Sequence, residues 1–338
     1  MKSFVLFFVF CLTLFFVNYE TEGISLANAS VASALEDLGV YDEAKKPNYT
    51  LKNVSVEAGE NLVKNGFGVK PSGKKTKKQS KHFVCTSCHN VVKEDIDLSN
   101  PDPQSRLEYS YEVGIPFLQG TTLYGAVNRT TYYNGDYDKK YGDLVKPARN
   151  NIREAIQLCA VECAQGRELA KWEIESILAY LWTIDLKMTD LIFTPQEVSV
   201  LETSSSSKEV KQNKVDIIKS KYLKLADAHF VIPPFDRSQG YEGITPDPFN
   251  GKLVYEQSCL HCHENQKYSY LHLDNTLHSF KYLKRKTTRY HPHSLYQVTR
   301  WGVPVRSWKK SYMPQYTEEK LTNQQLEDLR AYIFEQAK

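Results

Sequence analysis

One pattern constrains this chain more than any other. Cys85-Thr86-Ser87-Cys88-His89 and Cys259-Leu260-His261-Cys262-His263 are two copies of C-x-x-C-H, about 170 residues apart. With seven Cys and nine His in 338 residues, chance supplies ~0.004 copies of such a pattern, so a random pair is negligible. Two thiols at this spacing reach the two vinyl groups of one haem, and the adjacent imidazole turns onto the iron. A zinc site joining both C-x-x-C pairs leaves the repeated His unexplained. A redox C-x-x-C wants a βαβ setting that the sequence lacks. The reading is two covalently bound haem c groups, attached through Cys85, Cys88, Cys259 and Cys262, with His89 and His263 on the irons.

Such haems are attached outside the cytoplasm, and the N-terminus agrees. Lys2 precedes a 14-residue apolar run from Phe4 to Val17. That run is too short for a membrane span of ~20 residues and reads as a signal peptide over 1–23. The expectation is an exported, periplasmic chain, tethered to a membrane only if that segment stays uncleaved. Cys11 leaves with it. Residues 24–50 read as a flexible lead-in, 51–200 as a first domain, 201–245 as a linker and 246–338 as a second domain.

In the second domain Asp247-Pro248 opens a helix, with Asp as cap and Pro in the first turn. Thr322-Asn323-Gln324-Gln325 is a capping box that opens another. Leu326, Leu329, Tyr332 and Ile333 then share one face of that second helix. Between the two lies Met313-Pro314. This order resembles class I cytochrome c, which makes Met313 the distal ligand, with His291 or His293 as its rivals. The fold class expected is all-α, with two class I cytochrome c-like domains in tandem. From Lys281 to Lys310 come nine basic residues and no acid: Lys281, Lys284, Arg285, Lys286, Arg289, Arg300, Arg306, Lys309 and Lys310. They read either as a solvated face or as a dock for an acidic redox partner protein. Nucleic acid is excluded by the export and haem signals.

The first domain departs from its counterpart. Ile174, Ile177, Leu178 and Leu181 form a helical face, and Ala179-Tyr180 aligns with Ala331-Tyr332. Met313 lies 19 residues before Tyr332; the matching position before Tyr180 is Val161, flanked by Cys159 and Cys163. No Met lies between His89 and Tyr180. Cys159 or Cys163 therefore reads as the soft ligand. The bland alternative is a disulfide or a pair of inert core thiols.

Ile156-Gln157-Leu158-Cys159, Gly166, Leu169, Glu173 and Ala179-Tyr180, with Gly59-Glu60-Asn61-Leu62-Val63 upstream, resemble the thiosulfate dehydrogenase family of dihaem cytochromes c. The haem-binding A subunit of the Sox complex is similar here. The resemblance implies a Cys159-ligated active-site haem that couples thiosulfate to tetrathionate. The family's Ser is Cys163 in this chain, which tilts the chemistry toward thiols and disulfides. A sulfur oxyanion needs cations, and Arg129, Lys146, Arg149, Arg153 and Arg167 flank the Cys, each equally legible as a surface charge. The candidate catalytic set is Cys159, Arg153, Cys163 and Arg149; the candidate iron ligands are His89, Cys159, His263 and Met313. The rival functions are a dihaem electron shuttle, or cytochrome subunit without substrate chemistry, and, last, a dihaem peroxidase.

Overall fold

Two glycines set the main helix crossings. A Cβ on Gly59 would lie 1.8 Å from the Ser176 carbonyl oxygen, and one on Gly251 would lie 1.9 Å from that of Asp328. At each place a helix backbone rests directly on another, which only glycine permits. The computed structural model describes residues 24, 26–27, 29–40, 42–225, 227–287, 293–303 and 313–338. Residues 1–23, where the sequence reading expects a signal peptide, lie outside them.

The longer helices are α1 (Val31–Asp37), α2 (Val56–Asn65), α3 (Pro103–Val113), α4 (Ile152–Leu158), α5 (Lys171–Thr183), α6 (Pro195–Glu202) and α7 (Lys208–Ser220). After them come α8 (Pro248–Val254), α9 (Leu277–Thr287), α10 (Leu295–Trp301) and α11 (Asn323–Gln336). Among the described residues there is no sheet, only three isolated bridges. The molecule is all-α. No described helix is long and apolar enough to cross a membrane.

Local chemistry explains the helix ends. Asp247 accepts from Phe249 N–H ahead of α8, and the Thr322–Gln325 capping box opens α11. α2 crosses α5 through Gly59, and α8 crosses α11 through Gly251. Leu62, Val63, Ile177, Leu178 and Leu181 fill the first core; Leu253, Val254, Leu326, Leu329 and Ile333 belong to the second.

The lead-in and the linker are more structured than their composition suggests. Ser30 caps α1, Val31 N–H donates to Leu186 O at 2.7 Å, and Val31 and Ala34 are fully buried. They pack with Met188, Leu191, Leu201, Val215 and Ile218 in a third core. Residues 24–50 are thus not a loose lead-in over α1, and α7, within the expected linker, closes that core. Apolar contact with distant residues outweighs the polar local sequence.

The two halves also interlock. Leu107 on α3 and Phe117 just after it belong to the second core. Phe117 N–H donates to Gln257 O at 3.0 Å, and Gln104 bonds Asn250. Arg106, 2% exposed, lies over the Phe117 ring and donates to Leu118 O and Lys320 O. Glu94 accepts from Lys320 Nζ at 3.2 Å and lies 3.8 Å from Arg106. Burial opposes ionisation of Glu94, but Lys320 and Arg106 outweigh it and hold the carboxyl down at about 2.

Candidate functional site: two adjoining cavities

Each C-x-x-C-H segment faces a cavity. The second cavity, about 380 Å³, is lined by Cys259, Cys262, His263, Met313 and His293 among others. The first, about 200 Å³, is lined by Cys85, Cys88, His89, Cys159 and Cys163. Phe83, Cys88, Gln119 and Pro314 border both, so the cavities share a wall.

The histidines are set alike. His89 Nδ1 donates to Thr121 O at 2.7 Å, and His263 Nδ1 donates to Leu271 O at 3.0 Å. A carbonyl can only accept, so Nδ1 carries the proton and Nε2 is left as a neutral donor to a metal. Burial depresses both imidazoles and keeps them neutral. Gly120 passes so close to His89 that a Cβ would lie 2.6 Å from the ring, and its N–H donates to Cys88 O. The donor set fits haem c: two thiols for thioether bonds, one oriented imidazole, and an apolar chamber. In the second cavity Met313 is part of the lining, and its carbonyl is fixed by Val303 N–H at 2.8 Å. His293 shares that cavity with Met313; His291 lies outside the described residues.

The first cavity has a different far wall. α4 ends at Leu158, and Cys159–Cys163 continues as a wider π turn closed by Ala164 N–H to Cys159 O at 2.8 Å. Gln165 then takes φ +50°, which ends the helix. Cys159 and Cys163 stand four residues apart on this turn, and both line the cavity. Cys163 is held down by the neighbouring Cys159 thiol, by the Tyr141 and Tyr133 hydroxyls and by Lys140, against the effect of burial; Cys159 is pushed up by Cys163 and by burial. Tyr132, Tyr133, Tyr137 and Tyr141 line the same cavity. The sequence reading missed these tyrosines, although Tyr133, Tyr137 and Tyr141 recur every four residues, as one helical face does.

The expected arginine clamp does not form at this cavity. Arg153 pairs with Glu175 at 2.6 Å and donates to Ala44 O and Lys46 O, holding the lead-in to α5. Arg149 pairs with Asp138 at 2.5 Å, Arg167 with Glu173 at 2.6 Å and Lys146 with Asp143 at 2.7 Å. None of these four lines the cavity, because each has a nearer carboxylate; Arg129 does line it. Lys140, pushed down to about 8 by burial, turns to the other half and donates to Trp301 O and to Gln315 Oε1 at 2.5 Å.

The basic run is also divided. Lys281, Lys284, Arg285 and Lys286 lie on α9, and Lys286 reaches the rim of the second cavity. Arg300 does not belong to a surface patch: it is fully buried and donates to Leu321 O and Asn323 Oδ1. Arg289, Arg306, Lys309 and Lys310 lie outside the described residues.

Comparison with known proteins bears on the second cavity. Residues 246–333 match the family model for Cytochrome C oxidase, cbb3-type, subunit III. That span holds α8, the Cys259–His263 segment, Met313 and most of α11, so this part of the chain is similar to a c-type cytochrome domain. Such a domain implies covalently bound haem c, electron transfer and a redox partner protein. No curated protein and no solved structure matches the chain.

Proposed function

We propose that the chain is an exported, periplasmic dihaem c-type cytochrome that oxidises or reduces a sulfur compound at its first cavity and passes electrons out through the second. The observation that carries this reading is the repetition of the Cys, Cys and carbonyl-anchored His set in the first cavity, with Cys159 and Cys163 opposite an adjoining cytochrome site. Haem in each cavity would supply one-electron redox chemistry. The chain's own groups do the rest. Cys85 and Cys88 would hold the macrocycle, Thr121 orients His89, and a thiol of the π turn would be the group offered to iron and substrate.

The resemblance to thiosulfate dehydrogenases makes thiosulfate and tetrathionate the first couple to try, with Cys159 as distal ligand. A thiolate can attack or release a sulfane sulfur through a transient Cys-bound adduct. α9 offers Lys281, Lys284, Arg285 and Lys286 to an acidic partner at the rim of the second cavity. Engagement of Arg149, Arg153 and Arg167 by carboxylates favours a second reading, a shuttle without oxyanion chemistry.

Haem content per chain and low-temperature EPR of the oxidised protein test the proposal. Two haems and a low-spin His/thiolate signal are expected. Cys159→Ala should abolish thiosulfate/tetrathionate turnover with both haems still attached. One haem per chain overturns the dihaem reading; two His/Met signals leave the shuttle.

A further inference from the structure

The thiol pair does not fit a site built for a single iron-bound sulfur. Cys159 and Cys163 open and close one five-residue turn, both line the first cavity, and both are free thiols. An intact α-helix strains a bond between residues four apart. Here the backbone has left the α-helix at Leu158, and the positive φ of Gln165 ends the π turn two residues past Cys163. The chain past the turn is held by Gly166 N–H to Ala160 O at 2.9 Å and Arg167 N–H to Gln79 O at 2.8 Å, so the pair sits on a π turn with a fixed exit, not within an intact α-helix. Tyr141 Oη lies 3.7 Å from Cys163 Sγ, so the second thiol has a hydroxyl partner of its own.

The walls also speak to charge. Four tyrosines, Ile152, Ala155 and Ile156 surround the pair, and Lys140 is turned toward Trp301 and Gln315. Two dianions meeting here would bring four negative charges into a chamber where, of the expected arginines, Arg129 alone lines the wall and Arg149, Arg153 and Arg167 are paired elsewhere. A thiol brings none, or one as thiolate.

We propose that Cys159 and Cys163 cycle between dithiol and disulfide, and that the cavity oxidises low-molecular-mass thiols to their disulfides. This inference rests on the dihaem reading, which supplies the oxidant; while the disulfide stands Cys159 would not be an iron ligand, so the His/thiolate signal belongs to the dithiol state. In the first half-reaction the two S–H bonds break and one S–S bond forms. Two protons leave to solvent, and haem in the two cavities would accept the two electrons, one each. In the second, a substrate thiolate attacks Cys163 Sγ, the S–S bond breaks and Cys159 leaves as thiolate. A second substrate thiolate attacks the substrate sulfur of the mixed disulfide, releasing the substrate disulfide and Cys163. The net change is two thiols to one disulfide, with two protons and two electrons released. The redox partner then reoxidises the haems.

The test uses the holoprotein, with Cys163→Ser and Cys159→Ala beside it. Protein oxidised with ferricyanide is unfolded, alkylated with N-ethylmaleimide, digested and weighed. The expected wild-type peptide carries no adduct at Cys159 or Cys163 and is two hydrogens lighter; after dithiothreitol it carries two adducts. Cys163→Ser should carry one adduct in both states and reduce its haems with dithiothreitol or cysteine at least tenfold more slowly. Two adducts on the oxidised wild type, or unchanged thiol oxidation in Cys163→Ser, overturns the dithiol cycle. The alkylation arm needs only the wild type, so a variant that fails to fold does not blunt it. Thiosulfate turnover that survives in Cys163→Ser and vanishes in Cys159→Ala would sustain the dihaem sulfur reading while the dithiol cycle falls. A count of one haem would remove the reading beneath both.

Discussion

The two halves carry the same helix crossing and the same anchored histidine, yet their cavities face different far walls. In the second, Met313 is presented by a loop whose carbonyl meets Val303 N–H. In the first, the corresponding region is a π turn bearing two thiols. A π turn occurs in the second half too, but at Tyr255–Cys259, where it leads into the Cys-x-x-Cys-His segment. The helix crossing and the anchored histidine are thus shared within the molecule, while the irregular backbone carries the thiol pair in the first half and precedes the Cys-x-x-Cys-His segment in the second. A thioether is a poor nucleophile and a good ligand for a high-potential haem; a pair of thiols has sulfur chemistry of its own.

The sharpest way to break the parallel is at the crossings. Gly59→Ala and Gly251→Ala each drive a methyl into a carbonyl oxygen under 2 Å away, with backbone on both sides. Each should cost about 3 kcal/mol or more. Thermal unfolding followed at the haem band should show a large drop for both; a drop for only one would mean that the crossings are not equivalent.

Met313→Ala comes next. It should remove the thioether signature of the second site and lower its potential on the order of 0.1 V, since axial ligands govern a wide span. Redox titration of the variant checks this, and an unchanged potential would point to His293 as the ligand. Acid stability probes the interlock between the halves. Glu94 is held at about 2 against an ordinary 4.5, so the unfolded state binds more protons between those values. Its contribution is fully present above pH 4.5 and is lost as the pH falls toward 2, by on the order of 3 kcal/mol. Glu94→Gln should flatten stability over that window in acid titrations. The smallest effect expected is that of Lys140→Gln. Removing the Nζ bonds to Trp301 O and Gln315 should cost about 1–2 kcal/mol and weaken the Met313 signature in the visible spectrum without altering the EPR of the first site.

Much of the second half was legible because its signals are local. A capping box, a C-x-x-C-H run and a four-residue helical period lie within single elements. The first half hides its site in long-range pairings. Arg153 resembles a substrate clamp until Glu175, 22 residues on, takes it. Glu94 and Lys320 are 226 residues apart and meet only after both halves have docked. The lead-in 24–50 reads as loose because α1 has just seven residues, yet its apolar face is completed by Leu186, Met188 and Ile218. The tyrosines at 133, 137 and 141 fell across a 3-10 turn and a four-residue helix, so their shared face was not visible as one amphipathic run.

The wall common to both cavities sets an order of manufacture. Cys88 borders each of them, as do Pro314 and Gln119. Machinery that stitches a haem to Cys88 needs open access to that sulfur, and a docked second domain would deny it. On the two-haem reading, the first haem must be attached while the C-terminal half is still undocked or not yet exported. Maturation would then run from the N-terminus onward, and a chain whose halves closed too early would be trapped with one haem.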